Sequence, residues 1–130
     1  MSAHVISIRP RYGEVDRMGF VYHAHYLVYF ELGRTEAMRA RGMPYAGIED
    51  RGHRLVVAEA RLKFVLPSHY DEDLTLTTTV ERVGGASVTF AYVLAGADGQ
   101  VRTTGSTRLG CVDAQGQACR LPSDLAAALA

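Results

Sequence analysis

Asp16 is the residue whose surroundings could carry chemistry. It stands in GEVDRMGFVYH, residues 13–23, a stretch with glycines at 13 and 19 that reads as a loop. Directly after it, AHYLVYFELGRTEAMRAR (24–41) has no proline and repeats apolar residues at helical offsets. A helix opens with backbone N–H groups that lack intrahelical acceptors and carry partial positive charge. Such an end holds anions, and it equally stabilises a carbonyl oxygen that gains charge under attack. A carboxylate kept ionised beside those dipoles can serve as nucleophile or general base. Acyl transfer is the chemistry that uses both. The same position also suits an aspartate that only caps a turn or the helix, and residue type leaves both readings open.

Other chemistries find less support. His23 and His25 could join Asp16 around a metal, but residues two apart on a helix start point about 200° from each other. No metal site is expected there. Cys111 and Cys119 have no metal-ligand spacing and read as reduced thiols. There is no G-x-S-x-G, and neither cysteine neighbours the histidine loop, so serine or cysteine hydrolysis is not indicated.

The elements around the loop follow from pattern. Residues 3–12 alternate as a strand that ends near Pro10. The helix over 24–41, about 27 Å long, is expected to bury Tyr26, Phe30, Gly33, Ala37 and Ala40, with Leu27 and Tyr29 adjoining. Gly42 stops it, with Arg39 and Arg41 in the last turn. Residues 53–66 set Ala58, Ala60, Leu62 and Phe64 against Glu59, Arg61 and Lys63. Residues 73–83 alternate Leu74, Leu76, Thr78 and Val80. After Gly84-Gly85 come Val88, Phe90, Tyr92 and Leu94 at period two; Asp98-Gly99 then turns into 101–111. A turn at Gly116 precedes a short C-terminal helix that Ser123 could cap. One domain over 1–130 is expected, of the α+β class. Its antiparallel five-stranded sheet would wrap around one long central helix, the last four strands forming a meander. An outer strand rich in Thr and Val is expected to pair edge to edge with a second subunit.

Asp16, Gly19, Val21, Tyr22, His23, Tyr26, Phe30, Glu31, Arg34, Thr35 and Glu36 spell D-x-x-G-x-V-Y-H-x-x-Y-x-x-x-F-E-x-x-R-T-E. This closely resembles the signature of the 4-hydroxybenzoyl-CoA thioesterase-like, YbgC-type branch of the hotdog superfamily. Leu66-Pro67 with Tyr70-Asp71-Glu72-Asp73-Leu74 resembles the P-x-x-Y-D-D-x-L segment of that family, and Cys111-Val112-Asp113 with Leu121-Pro122 resembles its closing strand and tail. The resemblance implies a hotdog fold that hydrolyses an acyl-CoA to free acid and CoA. It makes Asp16 the catalytic carboxylate, as nucleophile or as base for a water. It also sets the backbone N–H of His23 against the thioester oxygen, while the His23 side chain is expected to orient the carbonyl or the water. Gly19, Val21, Tyr22 and Tyr26 are the expected substrate-binding positions, although Tyr26 and Phe30 also read as helix core. His25 stands where the family often has asparagine, and Phe20 where it has a smaller aliphatic residue, which would narrow the acyl site. Glu14 reads as solvated loop, and Glu31, Arg34 and Glu36 as ion-pair partners along the helix.

Bulk properties set the limits. Lys plus Arg and Asp plus Glu number 14 each, so the net charge is zero and nothing global points to nucleic acid or an anionic membrane. No run approaches the roughly 18 apolar residues of a spanning helix, no leader pattern opens the chain, and the cytoplasm is the expected location. Coenzyme A enters as substrate, and no metal or redox cofactor is expected. Arg61, Lys63, Arg82 and Arg108 are the candidate cations for its phosphates. A homodimer or homotetramer is expected, each site drawing on two subunits, and acyl carrier protein is an alternative to CoA as carrier. The rival readings are a hotdog hydratase or dehydratase, whose histidine–acid motifs are not found, and a non-hydrolytic acyl-thioester or carrier-protein binding module.

Overall fold

The computed structural model describes residues 3–130. In chain order it holds β1 (His4–Ile8), α1 (His25–Ala40), α2 (Tyr45–Asp50), β2 (Arg54–Phe64), β3 (Leu74–Val83), β4 (Ser87–Ala95), β5 (Val101–Val112) and α3 (Ser123–Leu129). The strands form one antiparallel sheet in the order β1-β3-β4-β5-β2. The α+β architecture is as expected, but the meander is shorter. Only β3, β4 and β5 follow one another; β2 lies at the far edge and pairs with β5 instead of β3. The Thr-rich strands β3 and β5 are therefore interior, and the edges are β1 and β2.

α1 packs on the sheet through Tyr26, Tyr29, Phe30, Gly33, Ala37 and Met38. Leu27 and Ala40, expected inside, are exposed, and Met38 is buried in their place. Leu27, Val28 and Leu32 leave an apolar flank of the helix uncovered. Phe30 is fully buried and stacks on Tyr92 with ring centroids 4.2 Å apart and planes 3° from parallel. The helix comes this close because Gly105 lies beneath the ring. A Cβ there would stand 2.6 Å from Phe30 and 2.5 Å from the Arg61 carbonyl, separations no real side chain tolerates. The Tyr92 hydroxyl is paired with Thr107 Oγ1 at 2.6 Å, so this buried phenol is not orphaned.

β2 carries a feature that simple alternation hides. Its register with β5 slips between Val57 and Glu59, where Ala58 is the extra residue of a bulge. Before the bulge Leu55 and Val57 sit opposite Cys111 and Leu109, which are buried. After it Ala60, Leu62 and Phe64 sit opposite Thr107, Gly105 and Thr103, on the same helix-facing side. Glu59, Arg61 and Lys63 are thereby turned to the outer face. The alternation expected for residues 60–64 holds; Ala58 does not belong to it.

Two short helices complete the fold. α2 is six residues long behind Pro44, with Ile48 buried, too short for periodicity to reveal. α3 begins at Ser123, but Pro122 occupies its cap position and no side chain caps it, so the expected Ser123 cap is not formed.

Candidate active site

The loop ahead of α1 is a small hairpin. Val15 and Val21 form an antiparallel bridge, Asp16 N–H donates to Phe20 O (2.8 Å), and Gly19 N–H donates to Asp16 O (2.9 Å). Gly19 has φ 82°, the left-handed geometry that such a turn asks of its last residue. The Asp16 side chain caps the turn, because Oδ1 accepts from the amides of Met18 (2.9 Å) and Phe20 (3.4 Å). It also lines an open cavity of about 300 Å³, together with Met18, Phe20, Val21, His23, Tyr26 and the segment 64–67. The turn-capping reading of Asp16 is therefore met, in a residue that also stands on the cavity. No other bond reaches this carboxylate among the described residues, so Oδ2 is left unengaged on a residue that lines the cavity.

The backbone entering the helix is likewise half committed. Tyr22 N–H donates to Glu14 O (2.9 Å) and His25 N–H to Tyr22 O (2.8 Å). The amides of His23 and Ala24 between them reach no acceptor among the described residues. These are donors available to a carbonyl or an anion at the cavity.

Of the positions named from sequence, Asp16, Val21, His23 and Tyr26 meet on this cavity. Gly19 shapes the turn without lining it. Tyr22 is half exposed and packs its ring against His23 at 4.5 Å instead of facing the cavity. The two histidines part company, His23 to the cavity and His25 to Glu14. Phe20 lines the cavity and meets His69 edge-on at 5.2 Å. Arg61, Lys63 and Arg82 do not line it within one chain. Arg61 pairs with Glu59 at 3.2 Å, and all three are exposed on strands away from it.

Glu14, expected in solvent, is buried instead. The short 3₁₀ turn Tyr12–Glu14 rotates it inward, where Tyr29 Oη donates to it at 2.8 Å and Arg11 donates through N (3.0 Å) and Nε (3.2 Å). His25 Nε2 lies 3.4 Å away. Burial pushes the Glu14 carboxyl up, but the bonds from Tyr29 and Arg11 and the nearby imidazole outweigh it and hold the group below its ordinary value of 4.5. Burial and the same carboxylate push the Tyr29 phenol far above its usual range. This cluster fastens the Asp16 hairpin to α1. Because the folded value is the lower one, Glu14 stabilises fully above its ordinary value and loses that contribution as pH falls through the folded one. The urea midpoint should therefore drop as pH falls below about 4.5, and Glu14→Gln should flatten that acid limb while lowering the neutral-pH midpoint. An equally steep limb in the variant would exclude Glu14 from it.

The opposite wall depends on Arg102, which pattern reading missed. It is buried in β5 and donates through Nη1 to Pro67 O (3.1 Å) and Glu72 Oε1 (2.8 Å). Its own carbonyl accepts from the amides of Val65 (2.9 Å) and Leu66 (3.0 Å). The guanidinium holds Glu72 below the usual carboxylate range, despite burial. The acidic run around residues 71–73 was visible; its partner thirty residues away was not.

A long helix on one face of a five-stranded antiparallel sheet, with a carboxylate hairpin at the helix entrance, defines the hotdog class. Residues 10–129 match the family model of the thioesterase-like superfamily. The Bacillus subtilis acyl-CoA thioesterase candidate YneP is 33% identical over 106 residues, 82% of this chain and 77% of its own length. The acyl-CoA thioester hydrolase YbgC of Escherichia coli is 26% identical, covering 82% and 79%. The crystal structure of DHNA-CoA thioesterase from Staphylococcus aureus superposes with a TM-score of 0.90 at 30% identity, over 93% of this chain and 82% of that one. The chain belongs to the thioesterase-like superfamily, in its YbgC-type branch. Among the described residues no helix is long and apolar enough to cross a membrane.

Proposed function

We propose that the chain hydrolyses an acyl-CoA thioester to the free acid and CoA, with Asp16 as the catalytic carboxylate. The observation that carries this reading is Asp16 on the open cavity, one oxygen held by the Met18 and Phe20 amides and the other unengaged. The names borne by YneP, YbgC and the Staphylococcus aureus thioesterase support the same reaction. The thioester carbonyl enters with its oxygen toward the His23 N–H, a donor of the kind whose loss typically costs about 2.7–4 kcal/mol in the transition state. On the general-base route Asp16 takes a proton from water as the water oxygen bonds to the carbonyl carbon. The tetrahedral intermediate collapses, the C–S bond breaks, and the proton passes to the departing CoA thiolate. On the nucleophilic route Asp16 itself bonds to the carbon, the C–S bond breaks and CoA leaves as a thiolate. Water then cleaves the mixed anhydride, releasing the acid and restoring the Asp16 carboxylate, and the proton that water gives up neutralises the thiolate. The His23 imidazole orients the carbonyl or the water. Phe20, Val21, Tyr26 and Phe64 offer an apolar or aryl acyl group a matching wall, while Gly19 shapes the turn and Tyr22 supports His23 from behind. No metal takes part, and the setting is the cytoplasm.

The test is thiol release from short-chain, long-chain and aromatic acyl-CoAs, with acylated carrier protein as a separate arm. Turnover lost in Asp16→Ala supports the proposal and the panel names the acyl class. Tight binding of acyl-CoA without turnover would favour a binding module instead, and water addition to an enoyl-CoA would favour a hydratase.

The proposal includes a homodimer. β2 is paired on one side only, and Val56, Val57, Phe64, Val65 and Leu66 are exposed along and beyond it. A second copy covering that edge would close the cavity, whose Phe64 wall is 55% exposed in one chain. Light scattering should give at least twice the 14.2 kDa chain mass; a monomer at micromolar concentration would refute the shared site.

A further inference from the structure

β2 delivers Phe64 to the Asp16 cavity from its C-terminal end, and a second constellation stands at its other end. His53 directly precedes β2, Cys111 lies near the end of β5, and Cys119 belongs to the tail before α3. The two Sγ atoms are 3.5 Å apart, and His53 Nδ1 is 3.9 Å from Cys111 Sγ and 3.7 Å from Cys119 Sγ. A tetrahedral zinc, with Zn–S near 2.3 Å and Zn–N near 2.0 Å, separates its ligands by roughly 3.4–3.8 Å. The three donor atoms thus already outline one face of such a tetrahedron. They are the one group of three metal-ligating side chains that so converges among the described residues.

The backbone fixes each donor independently of any ion. His53 N–H donates to Ile48 O (3.2 Å), Cys111 N–H to Ala86 O (2.8 Å), and Cys119 N–H to Cys111 O (3.0 Å). Val112 and Ala118 bridge beside the thiols, which makes Cys111 and Cys119 cross-strand neighbours. Cys111 is buried, while His53 and Cys119 are half-buried, leaving the fourth side accessible. Two thiols packed as small hydrophobes would not call for an imidazole nitrogen aimed at both. Sulfur and imidazole together are the donor set of zinc-type ions, not of calcium or magnesium.

We propose that His53, Cys111 and Cys119 bind one zinc-type ion, with the fourth position open to solvent or an exogenous ligand. Each thiol gives its proton to solvent as it coordinates. None of the three lines the Asp16 cavity, so the site is separate from the proposed chemistry. It clips together the start of β2, the end of β5 and the tail that leads into α3. This departs from the expectation of a metal-free chain. Cysteines eight residues apart carry no motif, and the histidine arrives from 58 residues away.

The experiment uses the full chain, reduced and stripped with chelator, then titrated with Co²⁺ as a spectroscopic probe and with Zn²⁺. One ion per chain is expected, with a thiolate-to-cobalt charge-transfer band that Zn²⁺ abolishes and a thermal midpoint raised by Zn²⁺. Cys119→Ser and His53→Gln should each weaken Zn²⁺ binding beyond the roughly 10–100-fold that outer-shell changes produce. Both positions are half-buried, so either variant can report if the other folds poorly. Reduced wild type that takes up no Zn²⁺, or uptake unchanged in both variants, overturns the proposal. A Cys111–Cys119 disulfide that forms in air, with no metal bound by the reduced form, overturns it as well.

Discussion

Asp16→Asn should lower kcat for the proposed acyl-CoA hydrolysis by about 10²–10⁴ and leave the fold intact. The asparagine keeps a side-chain oxygen where Oδ1 accepts from Met18 and Phe20, so the turn that presents the residue survives. What it lacks is the charge that, in the proposed mechanism, attacks the carbonyl or removes a proton from water. Asp16→Ala differs in kind, because it removes the turn acceptor together with the carboxylate and loosens the hairpin as well. Comparing the two separates chemistry from positioning. A steady-state assay in which Asp16→Asn stays within a few-fold of wild type would mean that another group does the work, and the proposed mechanism would fall.

Phe30→Ala should destabilise the fold by about 3–5 kcal/mol, against a total of about 5–15 kcal/mol for a domain. The ring is fully buried between Tyr92 and the bare backbone at Gly105. Gly105 has no side chain to swing into the space, and Tyr92 is tethered through its hydroxyl to Thr107, so the site collapses poorly. A cavity that cannot collapse puts the cost toward the upper part of the range. Urea unfolding should show a lower midpoint at unchanged slope. A loss below about 1 kcal/mol would place the helix–sheet packing elsewhere.

What could be read from the sequence is what neighbouring residues encode. α1 showed itself by its period and its Gly42 stop, the hairpins by Gly84-Gly85 and Asp98-Gly99, and the Asp16 loop by its glycine and its place before the helix. The motif resemblance added the hotdog architecture, which alternation could not rank above other α+β layouts, and it is the source of the role proposed for Asp16. What stayed hidden depends on residues far apart in the chain. Nothing local says that β2 pairs with β5 and not β3. Glu14 looked solvated because its partners Tyr29 and His25 belong to the next element. Arg102 carries no local signal at all, because its partners Pro67 and Glu72 lie 35 and 30 residues away. Leu27 and Ala40 were misplaced because a helical period gives the stripe but not its width, and a helix on a sheet with one flank open buries a narrower one.

The bulge at Ala58 makes β2 tolerant of a change in length. Before Ala58 the odd-numbered residues face the helix; after it the even-numbered ones do. Ala58 is the extra residue, so its loss would leave Val57 and Glu59 in regular alternation and keep every pairing beyond them. Ala60, Leu62 and Phe64 would still face the helix, and Glu59, Arg61 and Lys63 the outer surface. A second loss, with no bulge left to absorb it, would exchange the faces and send Phe64 from the cavity into solvent. Along this strand one residue is spare, and only one.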